Sequence, residues 1–184
     1  MNGMLNKFLE FDHRLSAKMR LPPEQKALRS AAAFFAHSGD SWFWVAGLFL
    51  VWLFTKGDWH KHSALFAGAI IIQASLVLAI KFLIRRQRPD GQWGDIYRKT
   101  DPNSFPSGHA VRAVMLAILA WGLHISPLNW ILTLWAPLVS LARVSLGVHY
   151  LVDILAGWLL GILIAIAILN AQPFFFQLFP YVFK

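Results

Sequence analysis

The chain of 184 residues alternates between long uncharged stretches and short clusters of charge. The uncharged stretches are apolar all round, whereas a surface helix of a soluble protein shows a polar face. They cover residues 41–55, 63–80, 113–142 and 154–183. A helix needs about 20 mostly apolar residues to cross a bilayer core of about 30 Å, and slightly shorter runs extend into their flanks. The pattern predicts an all-α integral membrane protein.

The uncharged stretches predict a bundle of five to six transmembrane helices. The third stretch is too long for one span and contains Ser126-Pro127, a turn signal, so it divides into a helical hairpin. The predicted spans are 41–57, 62–84, 108–124, 128–145 and 150–170. No repeat or linker divides the chain, so we expect a single domain over 1–184, with a transmembrane core over 41–170 and an interfacial tail over 171–184.

The first 40 residues are more polar and predict two interfacial helices. In the first, apolar residues such as Phe8 and Leu15 alternate with basic residues, an amphipathic pattern typical of a helix lying on a membrane. The second helix is predicted over roughly 24–37, and the pattern leaves open whether it enters the bilayer. Charges continue to Arg29, which excludes a signal peptide.

Composition supports the membrane assignment and narrows the expected partners. Hydrophobic residues make up 57% of the chain and charged residues 14%, against about 45–50% and about 25% in soluble domains. The net charge is +8, from 17 Lys and Arg against 9 Asp and Glu. These basic residues lie at the ends of spans. This placement favours membrane lipids and a phosphorylated substrate as partners and argues against nucleic acid. The lack of cysteine excludes a disulfide or a cysteine nucleophile.

Two charged residues interrupt the last spans, Arg143 and Asp153, and His149 lies between them. Ionisable groups within a span are costly and usually functional. Residues four apart share a helix face, so Asp153 can accept a hydrogen bond from one imidazole nitrogen of His149. The other nitrogen then serves as a base or nucleophile. An Arg–Asp pair that only joins two helices is the alternative for this triplet taken alone.

A basic cluster marks the end of the second span. Lys81, Arg85 and Arg88 lie at helical spacing, so one helix end can present three cations to one point. The alternative is a rim of basic residues that extend to the lipid headgroups.

The third span opens with Pro106-Ser107-Gly108-His109. The first backbone N–H groups of a helix point outwards and bind anions, and glycine lets an oxyanion approach the backbone closely. An ordinary helix cap is the alternative. Because successive spans alternate in direction, this segment returns to the side of the membrane that holds Lys81 and His149.

A site containing these groups is suited to phosphoryl transfer. Cations and outward N–H donors stabilise the charge of a transferring phosphoryl group. His149 can attack phosphorus, and His109 can protonate the leaving oxygen and then activate water. A metal site formed by both histidines and Asp153 is disfavoured because the neighbouring Lys and Arg would repel a cation. We therefore expect neither a metal nor another cofactor.

These segments resemble the motifs of the type 2 phosphatidic acid phosphatase superfamily, the membrane lipid phosphate phosphatases. The family pattern is Lys, six residues, Arg-Pro; then Pro-Ser-Gly-His; then Ser-Arg, five residues, His, three residues, Asp. The chain reads Lys81…Arg88-Pro89, Pro106-Ser107-Gly108-His109 and Ala142-Arg143…His149…Asp153. Ala142 replaces the motif serine, whose hydroxyl the resemblance implies in phosphate binding. Either Ser140 or Ser145 compensates for it, or the pocket tolerates the loss of one hydrogen bond.

The resemblance also implies a role for each matching residue. His149 would be the nucleophile, Asp153 its orienting carboxylate and His109 the general acid and base. The implied phosphate-binding residues are Lys81, Arg88, Ser107, Gly108 and Arg143. Arg85 and Arg112 are further candidates for contact with the substrate headgroup, and an Arg112 that only extends to the membrane surface is the alternative.

The expected function is a metal-independent lipid phosphate or diphosphate phosphatase that acts through a phosphohistidine. Undecaprenyl diphosphate is the favoured substrate, while phosphatidylglycerophosphate, phosphatidate and lipid A phosphates stay open. A non-catalytic lipid-phosphate binder or carrier is the alternative of another class, and a vanadate-dependent haloperoxidase is disfavoured because those proteins are soluble. The expected location is a bacterial inner membrane with an extracytoplasmic site, although the basic residues gathered at that end favour the cytoplasm under the positive-inside rule. The pattern leaves the oligomeric state open.

Overall fold

The computed structural model describes residues 2–90 and 101–183, which form α-helices joined by short connections. The helices of these two ranges are α1 (Asn2–Lys18), α2 (Lys26–Ser38), α3 (Ser41–Phe54), α4 (Asp58–Ile84), α5 (Gly108–Gly122), α6 (Leu128–Ser145), α7 (Leu151–Leu178) and α8 (Pro180–Phe183). Within the same ranges, the extended pairing is limited to a single bridge between Gln87 and Asn103. The predicted all-α fold is confirmed.

The five predicted spans correspond to α3 through α7. Three of these helices, α4, α6 and α7, are long and apolar enough to cross a membrane, whereas α3 and α5 are shorter apolar helices. Helix α7 continues to Leu178, so the predicted end of the fifth span at residue 170 is wrong. A proline inside a helix costs a backbone hydrogen bond. Phe175 and Phe176 pack against the core directly after Pro173, which offsets that cost and keeps the chain helical.

Helix α5 forms the centre of the bundle, where it contacts α4, α6 and α7. Its residues Val111, Met115 and Leu119 are fully buried. Because other helices surround α5, its backbone and side chains are shielded by protein, and a helix shorter than a bilayer is accommodated there.

Two glycines of α7 allow it to lie directly against the backbone of α5. A Cβ atom on Gly161 would lie 2.5 Å from the carbonyl oxygen of Val111, and one on Gly157 would lie 3.0 Å from that of Ser107. Small residues four apart are typical of closely packed membrane helices. This contact fixes the beginning of α5 relative to the beginning of α7.

The outer surface of the bundle is apolar. Leu83, Leu134 and Leu159 are 82%, 69% and 61% exposed, and other large apolar side chains on the same helices are exposed as well. A soluble protein rarely exposes apolar surface on this scale. The exposed side chains therefore face lipid, and the protein is an integral membrane protein.

Helix α1 is docked on the bundle through its polar side. The Asp12 carboxylate and the Ser16 hydroxyl accept hydrogen bonds from the backbone N–H groups of Val152 and Leu151, at 3.1 Å and 2.8 Å. The first N–H groups of a helix have no partner within that helix, so these acceptors cap α7 from another helix. Both side chains are buried, while Phe8 and Phe11 on α1 are exposed.

Helix α2 packs against α6, and α3 continues from the end of α2. The backbone N–H of Leu21, ahead of α2, donates to the carbonyl of Ser145 at the end of α6. Further along, Trp135 in α6 donates to the Ser38 hydroxyl at the end of α2. Helix α2 thus descends antiparallel to α6, and α3 continues from its end to the turn before α4. The break between the two helices lies at residues 39–40.

Replacing Gly161 with alanine tests the close packing of α5 and α7. We expect Gly161→Ala to destabilise the protein by about 1–3 kcal/mol, the usual cost of overpacking a tight contact. The matched control is Gly68→Ala in α4, where a Cβ would meet nothing within 4 Å. Thermal unfolding in detergent measures both variants, and equal stability of the two would contradict the close contact.

Candidate active site

A polar cavity of about 190 Å³ lies where α4, α5 and α6 approach the connection between α6 and α7. Of the residues predicted from the sequence, it is lined by Lys81, Arg88, Gly108, His109, Arg112, Arg143 and His149. The other lining residues are Ser41, Gln73, Ala74, Val77, Leu78 and Asp101. The three sequence segments that carry the candidate chemistry therefore meet at one place.

The turn after α6 explains the spacing between Arg143 and His149. The carbonyl of Arg143 accepts hydrogen bonds from the backbone N–H groups of Val148 and His149, at 3.0 Å and 3.1 Å. Gly147 has φ +70°, the left-handed conformation in which glycine ends a helix without strain. The turn thereby brings the arginine and the histidine to the same cavity.

The His149 ring is held between a carboxylate and a guanidinium. Its Nδ1 lies 3.4 Å from Oδ2 of Asp153, and its Nε2 lies 3.1 Å from Nη1 of Arg88. Since arginine only donates hydrogen bonds, Nε2 is the acceptor and the ring proton is on Nδ1. Burial first, and then the neighbouring cations, lower the pKa of His149 well below its ordinary value. The ring is therefore neutral near pH 7, and its Nε2 lone pair is oriented towards the Arg88 guanidinium.

Asp153 connects all three segments of the site. Its Oδ2 also accepts from the backbone N–H of Tyr150 at 2.9 Å, and its own backbone carbonyl accepts from Ser107 at 3.0 Å. Its Oδ1 accepts from Nη1 of Arg86 at 2.8 Å, and the same guanidinium contacts Asp12 in α1 at 2.6 Å. Arg86 is a residue that the sequence reasoning missed, because its two acidic partners lie far away along the chain.

Among residues 2–90 and 101–183, four buried cations line the cavity: Arg112, which the carbonyl of Gly39 holds, and three others. Lys81, Arg88 and Arg143 are 6%, 3% and 1% exposed. A buried charge is costly unless an opposite charge or hydrogen bonds compensate it. Two of these cations, Lys81 and Arg88, share the carboxylate of Asp101, which lies 2.7 Å from Nη2 of Arg88. An anion thus already occupies the position between them.

The predicted basic cluster at the end of α4 is partly wrong. The helix ends at Ile84, and Arg85 has φ +51° and lies exposed, with its Nε donating to the carbonyl of Phe82. This left-handed residue ends the helical spacing, so Arg88 reaches the cavity from the following connection instead. Arg85 is therefore absent from the cavity lining.

Ser107 and Gly108, where α5 begins, differ in their access to the cavity. Gly108 lines the cavity, whereas Ser107 is fully buried behind it. Its hydroxyl makes no hydrogen bond to any residue in 2–90 or 101–183. The N–H of Ser107 is already used by the carbonyl of Asp153. The outward N–H groups that an anion can use therefore begin at Gly108.

Arg112 lines the cavity but is held by the protein itself. Its guanidinium donates to the carbonyl of Gly39, to the Ser41 hydroxyl at 2.6 Å and to the Gln73 side chain at 3.4 Å. It is 3% exposed and does not extend to the membrane surface. Its contacts fix the break between α2 and α3 to α5.

His109 has a carboxylate partner that the sequence reasoning also missed. Its Nε2 lies 2.7 Å from Oδ1 of Asp40, whose other oxygen lies 3.1 Å from Nδ1 of His37. Burial alone would raise the pKa of Asp40, but the hydrogen bonds from His109 and His37 outweigh it and lower this pKa to about 2. Asp40 is therefore ionised at physiological pH.

The sequence comparison agrees with the geometry of this site. The family model of the PAP2 superfamily matches residues 62–177, which include all three motif segments. The chain belongs to the PAP2 superfamily.

Similar proteins come from several PAP2 branches. Decaprenylphosphoryl-5-phosphoribose phosphatase from Mycobacterium tuberculosis is 41% identical over 96 residues, 52% of this chain and 52% of that protein, so the match spans about half of either. Undecaprenyl-diphosphatase from Sulfolobus acidocaldarius is 31% identical over 139 residues, 73% of this chain and 66% of that one. The crystal structure of the PAP2-type phosphatidylglycerolphosphate phosphatase from Bacillus subtilis matches with a TM-score of 0.75 and 25% identity, covering 91% of this chain and 87% of that one.

The departure from the PAP2 motif at Ala142 has a packing explanation. Ala142 is buried in an apolar cluster with Ala32 and Ala36 of α2. Ser140 and Ser145, the candidates to compensate for the missing hydroxyl, donate to the carbonyls of Ala136 and Ala142 in their own helix and do not line the cavity. Neither serine therefore replaces the motif hydroxyl at the cavity, which favours the alternative that the pocket tolerates its loss. The missing hydroxyl lies at a position where α2 packs against α6.

Removing the internal anion tests whether the cations form the phosphate subsite of this PAP2 protein. We expect Asp101→Asn to bind inorganic phosphate about tenfold more tightly, because a charge-assisted contact of about 1.5–3 kcal/mol no longer competes for Lys81 and Arg88. Titration calorimetry of the purified protein measures the affinity. Asp58→Asn, an exposed carboxylate at the far end of α4, is the control. Unchanged or weaker phosphate binding by Asp101→Asn would show that these cations do not bind the phosphate.

Proposed function

We propose that this PAP2 protein removes a terminal phosphate from a membrane lipid phosphate or diphosphate through a covalent phosphohistidine. The observation that carries the proposal is the state of His149. Its neutral ring has an acceptor Nε2 at the cavity, a carboxylate behind Nδ1 and a guanidinium 3.1 Å from Nε2. A nucleophile oriented by a carboxylate and placed beside phosphate-binding cations is the arrangement that nucleophilic phosphoryl transfer requires.

The reaction takes place in two steps. The Nε2 lone pair of His149 attacks phosphorus, the bond from phosphorus to the lipid oxygen breaks, and His109 gives that oxygen a proton. Water then attacks the phosphohistidine, and His109 takes up its proton while the bond from phosphorus to Nε2 breaks. Inorganic phosphate leaves, and both histidines return to their initial states.

The buried cations stabilise the charge that the phosphoryl group carries in both steps. Lys81, Arg88 and Arg143 converge on the cavity, and backbone N–H groups at the start of α5 add further donors. Fixed charges in a site of low polarity act more strongly than in water and need no rearrangement during the reaction. In this role they supply the positive charge that a metal ion supplies in other phosphatases.

Among lipid phosphates, we favour polyprenyl diphosphates, with undecaprenyl diphosphate as the first substrate to test. The names of two curated relatives support this choice, since one is an undecaprenyl-diphosphatase and the other acts on a decaprenylphosphoryl sugar phosphate. The Bacillus subtilis neighbour, a phosphatidylglycerolphosphate phosphatase, keeps glycerophospholipid phosphates as the second class. A panel of these lipids, together with phosphatidate and lipid A phosphates, ranks them by phosphate release.

One prediction of the proposed function concerns the nucleophile, His149. We expect His149→Asn to lower phosphate release by about 10³-fold or more, the order of loss when a covalent nucleophile is removed. The matched control is His124→Asn, because His124 is exposed and has φ +56°, a conformation that asparagine tolerates. Release of phosphate by purified protein in the presence of a metal chelator measures both. Wild-type activity in His149→Asn would contradict the mechanism, and an inactive wild type would favour a lipid-phosphate binder.

The second prediction concerns sidedness, for which we propose an extracytoplasmic site in a bacterial inner membrane. The chain has no cysteine, so single-cysteine variants report on one position each. Arg85→Cys lies at the active-site end of α4 and Lys56→Cys just before its other end, and both positions are exposed. We expect a membrane-impermeant maleimide to label Arg85→Cys, and not Lys56→Cys, in intact cells. The reverse pattern would indicate a cytoplasmic site.

A further inference from the structure

A carboxylate in hydrogen-bond contact with His109 lies outside every segment that the sequence motifs cover. Asp40 is 69 residues away along the chain, and its Oδ1 lies 2.7 Å from Nε2 of the histidine. We propose that Asp40 is the positioning residue of the general acid, holding the His109 ring and favouring its protonated form. The inference rests on the proposed function, because it assigns a partner to the proton donor of that reaction.

The backbone around Asp40 holds this carboxylate in place. A Cβ on the preceding residue, Gly39, would lie 2.9 Å from Cδ2 of His109 and 3.0 Å from Cγ1 of Val139, so the break between α2 and α3 lies directly against the ring. Arg112, one turn after His109 on α5, donates to the carbonyl of Gly39 through two of its nitrogens. The guanidinium thereby ties the break to the same helix that carries the proton donor.

The contact determines which ring nitrogen is left for the substrate. With Nε2 bonded to Asp40, the ring nitrogen left for proton transfer is Nδ1. The protonated ring gives its Nδ1 proton to the leaving oxygen and keeps Nε2–H on the carboxylate. In the second step Nδ1 takes a proton from water. The pair formed by Asp153 and His149 has the opposite orientation, with Nδ1 on the carboxylate and Nε2 at the cavity.

The charges around His109 explain why it needs a carboxylate. Arg112 of its own helix, Arg143 of α6 and Lys81 of α4 line the same cavity as His109, and their positive charges repel a protonated ring. Asp40 is the carboxylate that opposes them at the ring itself. Without it, an imidazolium beside these cations would be strongly disfavoured, whereas a neutral ring would remain able to act as a base.

The test compares two substrates in the variant Asp40→Asn, which keeps the size of the side chain. For a long-chain alkyl phosphate, whose leaving alkoxide needs a proton, we expect kcat at pH 7 to fall at least about tenfold. The alkaline limb of the pH profile moves to lower pH, because the protonated form of His109 is lost earlier as pH rises. First-turnover release of p-nitrophenol from p-nitrophenyl phosphate needs no proton and should fall less than threefold.

Controls separate this role from a structural one. Asp58→Asn, remote and exposed, should leave both substrates unchanged, and Asp40→Glu should restore part of the alkyl phosphate rate. An unchanged profile in Asp40→Asn, or an equal fall for both substrates, would overturn the inference. If His109→Gln were inactive and Asp40→Asn fully active, the role assigned to Asp40 would be overturned while the proposed function remained intact. A wild type that releases no phosphate from either substrate would overturn both.

Discussion

The burial of several cations around one small cavity is the constraint on which the rest of this structure depends. Lys81, Arg88 and Arg143 are almost completely removed from solvent, and positive charges so placed repel one another strongly. Such a group is stable only beside negative charge. In this structure Asp101 provides part of it, and the phosphoryl group of the proposed substrate is the external anion that we expect to bind the same cations. Binding of the proposed substrate therefore offsets the repulsion between these buried cations.

The scaffold holds this charge in place mainly through backbone contacts between neighbouring segments. The turn after α6 joins the carbonyl of Arg143 directly to the N–H of His149, and the carbonyl of Asp153 holds the N–H of Ser107. Glycines in α7 bring its backbone close to α5 at the same level. These main-chain contacts fix the backbone from which the cavity side chains extend, and side-chain contacts such as that of Asp153 with His149 then orient the groups.

The sequence predicted the spans and the convergence of the motif segments, because both depend on patterns along the chain. Uncharged stretches reveal buried or lipid-facing helices, and alternating spans bring alternate ends together. Asp40, Asp101 and Arg86 were missed for the opposite reason. Each acts through a partner that is distant along the chain or on another element, and no spacing links the pair. The polar side of α1 was missed in the same way, since its role as a cap for α7 appears only when both helices are in place.

Identifying the atom that attacks phosphorus tests the proposed mechanism most directly. A His109→Gln variant given p-nitrophenyl phosphate can form the covalent intermediate but hydrolyses it slowly, so rapid acid-free quenching and peptide mass spectrometry can locate the phosphate. We expect one phosphate per active site on the imidazole of His149, stable in alkali and lost in acid. Release of p-nitrophenol without a phosphorylated protein, or phosphate found on another residue, would contradict the phosphohistidine mechanism.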